Sequence, residues 1–334
     1  MHTAGEMEAG SMLKIDIVHK TDVLVCGATS AAVAAALAAK RRGVAVMAVS
    51  DRSYFGEETA GAMRLWQRES SDHALYRKIF RPDETGTTPS PGRIKRVFDE
   101  ALLEAGIPFY LEARPVFLLQ DDQGGLAGVV FASRTALYGV RCRLVVDASR
   151  TGVLARVAGL PVRQLQPADC RELVVLGAAP ETGGSFVWQP TQTPLSVAGE
   201  EISSYRLCLS TPARTALEAR LAADFEDRER AHYSGIVYSA DSFIDSLDER
   251  LASAGELKDD LRELTEEEFV CLNGRMIMAN GLLPLTNNGA AALDTMAGQL
   301  ALGCRAGRMA AERVLDLPFV AGPLTCHAGE AKQA

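Results

Sequence analysis

The stretch from Thr21 to Gly61, TDVLVCGATSAAVAAALAAKRRGVAVMAVSDRSYFGEETAG, constrains the fold of this 334-residue chain more than any other. It reads as a short apolar strand (Asp22–Cys26), a tight turn at Gly27, an Ala-rich helix from Ser30 to Arg42 stopped by Gly43, and a second strand (Val44–Ser50). Strand, helix and strand in that order form a βαβ unit with parallel strands. The helix N-terminus then lies at the carboxyl edge of the first strand, where unpaired N–H groups and the helix dipole favour a pyrophosphate. The expectation is a nucleotide-binding half-domain of the α/β class.

The whole chain is long enough for two closely joined parts, and 47% of its residues are hydrophobic. A formal net charge of −8, without any block of Lys or Arg, argues against a nucleic-acid backbone as partner. The seven cysteines are scattered with no C-x-x-C pair. That points away from a disulfide framework, a zinc site or a dithiol redox centre, and toward a reducing, cytoplasmic setting. No apolar run reaches the length of a membrane span, and Ala31–Ala39 leads into Lys40, Arg41 and Arg42, which suit the end of a helix in water. Residues 1–13 have no apolar core of a signal peptide and are expected to be a flexible leader.

Between Ala62 and Gly92 charge and loop formers dominate, an excursion from the sheet in which Arg64, Trp66 and Arg68 are candidates to line a pocket for an anion. The plainer reading is a solvated loop anchored by one Trp. Arg93–Ala105 carries Ile94, Val97, Phe98, Ala101 and Leu102 at helical spacing, with Gly106 as its stop. Strands are expected at Phe109–Leu111, Pro115–Gln120, Leu126–Ser133 and Arg141–Asp147, with a hairpin turn over Asp121–Gly125. Residues 162–269 suggest strands at Leu173–Gly177, Ser185–Trp188 and Ser204–Leu209, a helix at Thr215–Ala231, and a helical region over Ser234–Lys258 that carries Tyr238, Asp241, Asp245 and Asp248. His73 and His232 have no partners at ligand spacing, so no metal site is expected. A strand ending Ala279-Asn280-Gly281 leads through a loop to a small-residue helix from Leu293–Thr295 to Leu315, with Asp294 as candidate cap or ligand-positioning residue. The tail from Pro318 is expected to fray.

Three segments, in this order, carry a family resemblance. They are Gly27-Ala28-Thr29-Ser30-Ala31-Ala32 with Phe55-Gly56-Glu57-Glu58-Thr59-Ala60-Gly61, then LVVDASRTGVLARVAGLP (Leu144–Pro161), then RMIMANGLLPLTNNGAAALDTMAGQLALGCRAGRMAAERVL (Arg275–Leu315). Together they resemble the FAD-dependent oxidoreductases of the glutathione-reductase-like fold, in the branch often labelled FAD-dependent oxidoreductase or xanthan lyase. The resemblance implies a Rossmann-like FAD/NAD(P)-binding parallel sheet, an inserted antiparallel sheet and a second, substrate-covering region. Residues 14–161 and 270–317 would form the discontinuous cofactor domain, 162–269 the cap and 318–334 a tail.

The resemblance also implies where a cofactor sits. Backbone N–H groups of Thr29, Ser30 and Ala31 would face the pyrophosphate and those of Thr295, Met296 and Ala297 the flavin ring, with Thr59 from the second part of the first segment. Several polar positions depart from the family pattern. Of the fingerprint glycines, Gly27 keeps the first place, Thr29 stands in the second and Ala32 in the third. The acid that closes the second strand is replaced by Ser50, followed by Asp51 and Arg52; Ser149-Arg150 replaces a Thr-Gly pair; Gly281 replaces an acid. Arg64 and Trp66 are candidate substrate contacts, and no residue is singled out as a catalytic acid or base. Three readings stay open. One is an FAD-dependent oxidoreductase acting on a small organic substrate by flavin hydride transfer. The second is a flavoprotein-fold pseudoenzyme or subunit that has lost FAD and serves as a binding partner. The third is a site for another anion such as NADP, suited by Arg52 and Arg150. Ala/Gly-rich helix faces leave a homo- or hetero-oligomer open as well.

Overall fold

The computed structural model describes residues 15–65, 71–80, 89–165, 172–177, 186–190, 195–197, 200–202, 204–209, 236–239, 249–253 and 255–327. The first half runs β1 (Asp16–Lys20), β2 (Val23–Cys26), α1 (Ser30–Lys40), β3 (Val46–Val49), α2 (Ala74–Phe80), α3 (Pro91–Glu104), β4 (Phe109–Tyr110), β5 (Arg114–Gln120), β6 (Leu126–Ala132), β7 (Leu137–Arg141), β8 (Leu144–Asp147) and α4 (Val153–Val157). The middle holds short strands: β9 (Val162–Gln164), β10 (Glu172–Gly177), β11 (Phe186–Pro190), β12 (Leu195–Val197), β13 (Glu200–Ile202), β14 (Ser204–Leu209), β15 (Ile236–Ser239) and β16 (Glu249–Leu251). The chain closes with β17 (Val270–Cys271), β18 (Met276–Met278), α5 (Asn287–Ala291), α6 (Met296–Arg313) and β19 (Thr325–His327).

The sheet that positions the site has the order β17-β18-β8-β2-β3-β4. Its strands β18, β8, β2, β3 and β4 are parallel, and β17 pairs antiparallel at one edge. Every residue of β2, β3, β8 and β18 is buried, the pattern of strands covered on both faces. Helix α1 is buried from Ser30 to Ala39 because it packs against both the sheet and α6. Small residues permit that approach: a Cβ on Gly303 or Gly307 would lie 2.2 Å from the carbonyl oxygen of Ala31 or Ala35. Helix α3 follows local rules closely, with Pro91 opening it and the Ser90 hydroxyl accepting from the Arg93 N–H.

A five-stranded sheet of order β1-β7-β6-β5-β19 and a four-stranded antiparallel sheet of order β11-β14-β10-β15 complete the layers. The Rossmann-like parallel sheet with an inserted, mainly antiparallel sheet is therefore present as expected. Four details differ from the reading of the sequence. The segment Arg141–Asp147 is two strands, because Cys142 donates back to Ala127 of the inserted sheet while Arg143 and Leu144 donate to Asp22 beside the parallel one. Within Ser234–Lys258, Ile236–Ser239 and Glu249–Leu251 are strands rather than helix, held by β10 and β9 respectively. Within the tail expected to fray, Thr325–His327 forms β19 on β5, and residues 328–334 lie outside the described residues. Strand β1, exposed at a sheet edge and without apolar alternation, has no counterpart in the reading of the sequence. The expected helix at Thr215–Ala231, with His232, Asp241, Asp245 and Asp248, lies outside the described residues.

Candidate cofactor site

Strands β2, β3, β8 and β18 all end at one edge of the parallel sheet, and the expected site residues gather there. Gly27 follows β2 with φ +139, and a Cβ at this position would fall 2.2 Å from the Ala148 carbonyl oxygen. Only glycine lets the turn after β2 press against the loop after β8. Thr29 locks the same junction: its hydroxyl donates to the Ala148 carbonyl at 2.7 Å and accepts from the Ala32 N–H at 3.3 Å, which makes it the N-cap of α1. Ser30 and Ala31 then begin α1 with their backbone at the sheet edge.

The loop after β8 is organised by Asp147. Its Oδ1 accepts from the Ser149 N–H (3.1 Å) and hydroxyl (2.5 Å), and its Oδ2 accepts from the Ala155 N–H (3.0 Å). The Ser149 hydroxyl also accepts from the Val153 N–H at 2.7 Å, which starts α4. Beside it, the Asn280 side-chain amide donates to the Asp147 carbonyl, and Asn280 Oδ1 accepts from the Leu282 N–H, so Gly281 lies in a fixed bend.

The end of β3 departs from an acid-on-ribose arrangement. The Ser50 hydroxyl is engaged with its own turn, near the Arg52 and Tyr54 carbonyls and the Arg52 N–H. Asp51 is exposed at its surface, with its carboxyl pushed up by partial burial and then by Glu57. The carboxylate that does sit at this edge is Glu57, paired with Arg52 at 2.8 Å. Its neighbour Glu58 is 3% exposed and reaches α1: Oε2 accepts from the Ser30 N–H at 3.1 Å and Oε1 accepts from the Ser30 hydroxyl. Thr59 donates its hydroxyl to the same Oε1 at 3.3 Å. Sequence reasoning assigned no role to Glu57 or Glu58. The available signal was two adjacent acids in a Gly-flanked segment otherwise fit for burial.

Arg64 and Arg150, expected as anion contacts, converge on Asp294. The Arg64 guanidinium donates to the Asp294 carbonyl at 3.0 Å and stands 3.8 Å from Oδ2, and Arg150 stands 3.8 Å from Oδ1. Asp294 is not the helix cap. That role falls to Thr295, whose hydroxyl accepts from the Gly298 N–H at 3.1 Å, leaving Met296 and Ala297 in the first turn of α6. Trp66 and Arg68 lie outside the described residues. Among the described residues, no group of three His, Cys, Asp or Glu side chains is placed to hold a metal, and no helix is long and apolar enough to cross a membrane.

Residues 22–172 match the family model described as FAD dependent oxidoreductase. The match covers a little under half of the chain, and over it the sequence is similar to the FAD-dependent oxidoreductases. The description of that family model names FAD as the cofactor of the family. Among solved structures, the flavin-dependent brominase Bmp2 superposes with a TM-score of 0.55 at 11% identity, covering 90% of this chain and 81% of its own. A flavoprotein/dehydrogenase from Cytophaga hutchinsonii gives 0.51 at 14% identity over 90% and 80% of the two chains. A geranylgeranyl bacteriochlorophyll reductase-like protein from Thermoplasma acidophilum gives 0.50 at 13% identity over 88% and 78%. At such identities the likeness is one of fold. No curated protein matches the sequence.

The backbone of the site fits the dinucleotide cofactor of that family. The Gly27 turn has no room for a Cβ, and α1 presents its N-terminus at the meeting point of β2 and β8, the arrangement that accepts a pyrophosphate. Burial pushes both the Glu58 and the Asp147 carboxyls above the ordinary carboxylate range. Each then keeps its proton in the folded chain at a pH where the unfolded chain has lost it, so the folded state binds more protons and stability falls as pH rises. This contribution is complete below the unfolded values of 4.5 and 3.8 and is lost as pH passes through the raised folded values. Glu58→Gln removes its share, and urea midpoints measured from about pH 4 to pH 8 are expected to decline less steeply than in the unaltered protein.

Proposed function

We propose that this chain is an FAD-dependent oxidoreductase that holds a small, negatively charged organic substrate between Arg64 and Arg150 and exchanges a hydride with it. The observation that carries the reading is the meeting of Arg64, Arg150 and Asp294, from three distant parts of the chain, beside the N-terminus of α6. Two guanidinium groups meet at one carboxylate there, and guanidinium forks in a partly buried setting are suited to grip a carboxylate substrate. FAD, when bound, supplies the electron-transferring ring. The chain's own residues do the holding: the first N–H groups of α1 for the pyrophosphate, those of Thr295, Met296 and Ala297 for the ring end, and Glu57 with Arg52 at the adenosine end. Residues 162–269 would cover the substrate.

The NADP alternative loses support at Arg52, which is paired with Glu57 at 2.8 Å. The purified protein, or the protein titrated with FAD, is expected to show flavin absorbance near one equivalent per chain. Small organic acids screened without oxygen should bleach that absorbance where their neutral amides do not. Arg150→Ala is expected to weaken the apparent affinity for the acid by roughly tenfold or more, the loss of one charge-assisted contact. A chain that takes up no FAD would end this proposal, and acids and amides that bleach equally would remove the role of the arginines.

A further inference from the structure

Glu58 holds the donors that a dinucleotide needs. The Ser30 N–H is one of the amides at the start of α1 that have no acceptor within the helix, and both it and the Ser30 hydroxyl are directed to the Glu58 carboxyl group. We infer that Glu58 is a built-in competitor for the pyrophosphate of FAD, occupying the α1 N-terminus until the cofactor takes over the Ser30 donors. This inference rests on the FAD reading above and concerns how tightly, and at what pH, that cofactor is taken up.

Three features separate a competitor from a purely structural acid. The Glu57–Gly61 turn is already fixed to the fingerprint turn by its backbone, since the Gly56 and Glu57 N–H groups both donate to the Ala28 carbonyl at 2.7 and 3.1 Å. The carboxyl group is therefore not needed to place the turn. The first turn of α1 contains no acidic residue of its own, so Glu58 is the group that answers the positive end of its dipole. A second anion brought to this water-poor position would meet an ionised Glu58 at close range, where repulsion is screened little.

A proton on Glu58 relieves that repulsion and weakens its hold on Ser30. The charges around it do not offset this. Glu57 is adjacent and paired with Arg52, Asp51 lies beyond it, α1 contributes Ser30, and α3 presents Ile94 and Phe98 to the base of the turn at Gly56. FAD uptake is therefore accompanied by proton uptake, and affinity falls as the solution becomes more alkaline.

The test is a fluorescence titration of cofactor-free protein with FAD, and separately with ADP, which carries the pyrophosphate without the flavin. Glu58→Gln keeps shape and removes charge, and Glu58→Ala removes the occupant. Near pH 8 both variants are expected to bind FAD and ADP more tightly than the unaltered protein, by roughly ten- to a hundredfold, as charge-assisted contacts are worth. The pH dependence of binding should flatten in both. Thermal melts establish that each variant is folded, and Glu58→Gln decides the matter if Glu58→Ala is not. Equal affinities for the unaltered protein and Glu58→Gln would overturn the inference while leaving FAD as cofactor. Weaker binding by the variants would also overturn it, making Glu58 a support of the cradle. If neither the unaltered protein nor the variants bind FAD or ADP, the inference and the FAD reading fail together.

Discussion

Alanine at both Gly303 and Gly307 is expected to lower the free energy of unfolding by about 2–4 kcal/mol, although alanine is the better helix former by about 1 kcal/mol at each place. The two glycines are one helical turn apart on the face of α6 that meets α1, and each added methyl would lie 2.2 Å from a backbone carbonyl oxygen of α1. Backbone atoms of a buried helix cannot swing aside as a side chain can, so α1 and α6 must separate. Separation would also shift the Ser30 N–H and hydroxyl that α1 presents at the site. Gly92→Ala is the control: Gly92 lies in the first turn of α3 with nothing within 4 Å of its added Cβ, and this substitution should be neutral or stabilising by about 0.4–1 kcal/mol. Urea denaturation of the three proteins measures the difference. A double alanine variant as stable as the unaltered chain would mean that the helices do not cross at these residues.

Gly27→Ala is expected to be worse still for a single methyl. The residue combines a φ of +139, disfavoured for any L side chain, with a Cβ position 2.2 Å from Ala148 O and 2.4 Å from Ser149 N. A loss of about 3–5 kcal/mol is the scale for strain together with overpacking. For a chain of this size that corresponds to a fall of roughly 4–7 °C in melting temperature, and to loss of the proposed FAD uptake because the turn after β2 is displaced. A melt within a degree or two of the unaltered protein would show that the turn does not press on the loop after β8.

The contrast between Gly27 and Glu58 shows what was legible in the sequence. Gly27, Thr29 and the Ala-rich helix express their roles within a dozen residues, through turn chemistry, capping and periodicity, so the βαβ unit could be read directly. The gathering of Ser149, Arg150 and Gly281 at the same edge required the family resemblance, because their proximity is a property of sheet order rather than of local pattern. Glu58 was legible by neither route. Its burial depends on Gly56 taking a φ of 93 and on Ala28 accepting two N–H groups from across the site, and a pair of acids in a sequence ordinarily signals a solvated surface. Asp294 was recognised as a cap or a ligand-positioning residue, but Thr295 next to it performs the capping and frees Asp294 to meet Arg64 and Arg150. The strand Arg141–Asp147 read as continuous because apolar residues run through it. Only the pairing partners on either side of Cys142 reveal that it changes sheets.

The position of β19 has a consequence for how the protein is made. Strand β5 is paired on one side by β6, a few residues away through the Asp121 turn, and on the other by β19, with 205 residues separating Gln120 from Thr325. At ribosomal elongation rates that interval is roughly ten to forty seconds. For that time the nascent chain carries an open strand edge, a template for unwanted pairing with other chains. Crowded polysomes and high expression temperature should therefore penalise yield at this edge before they trouble the cofactor sheet.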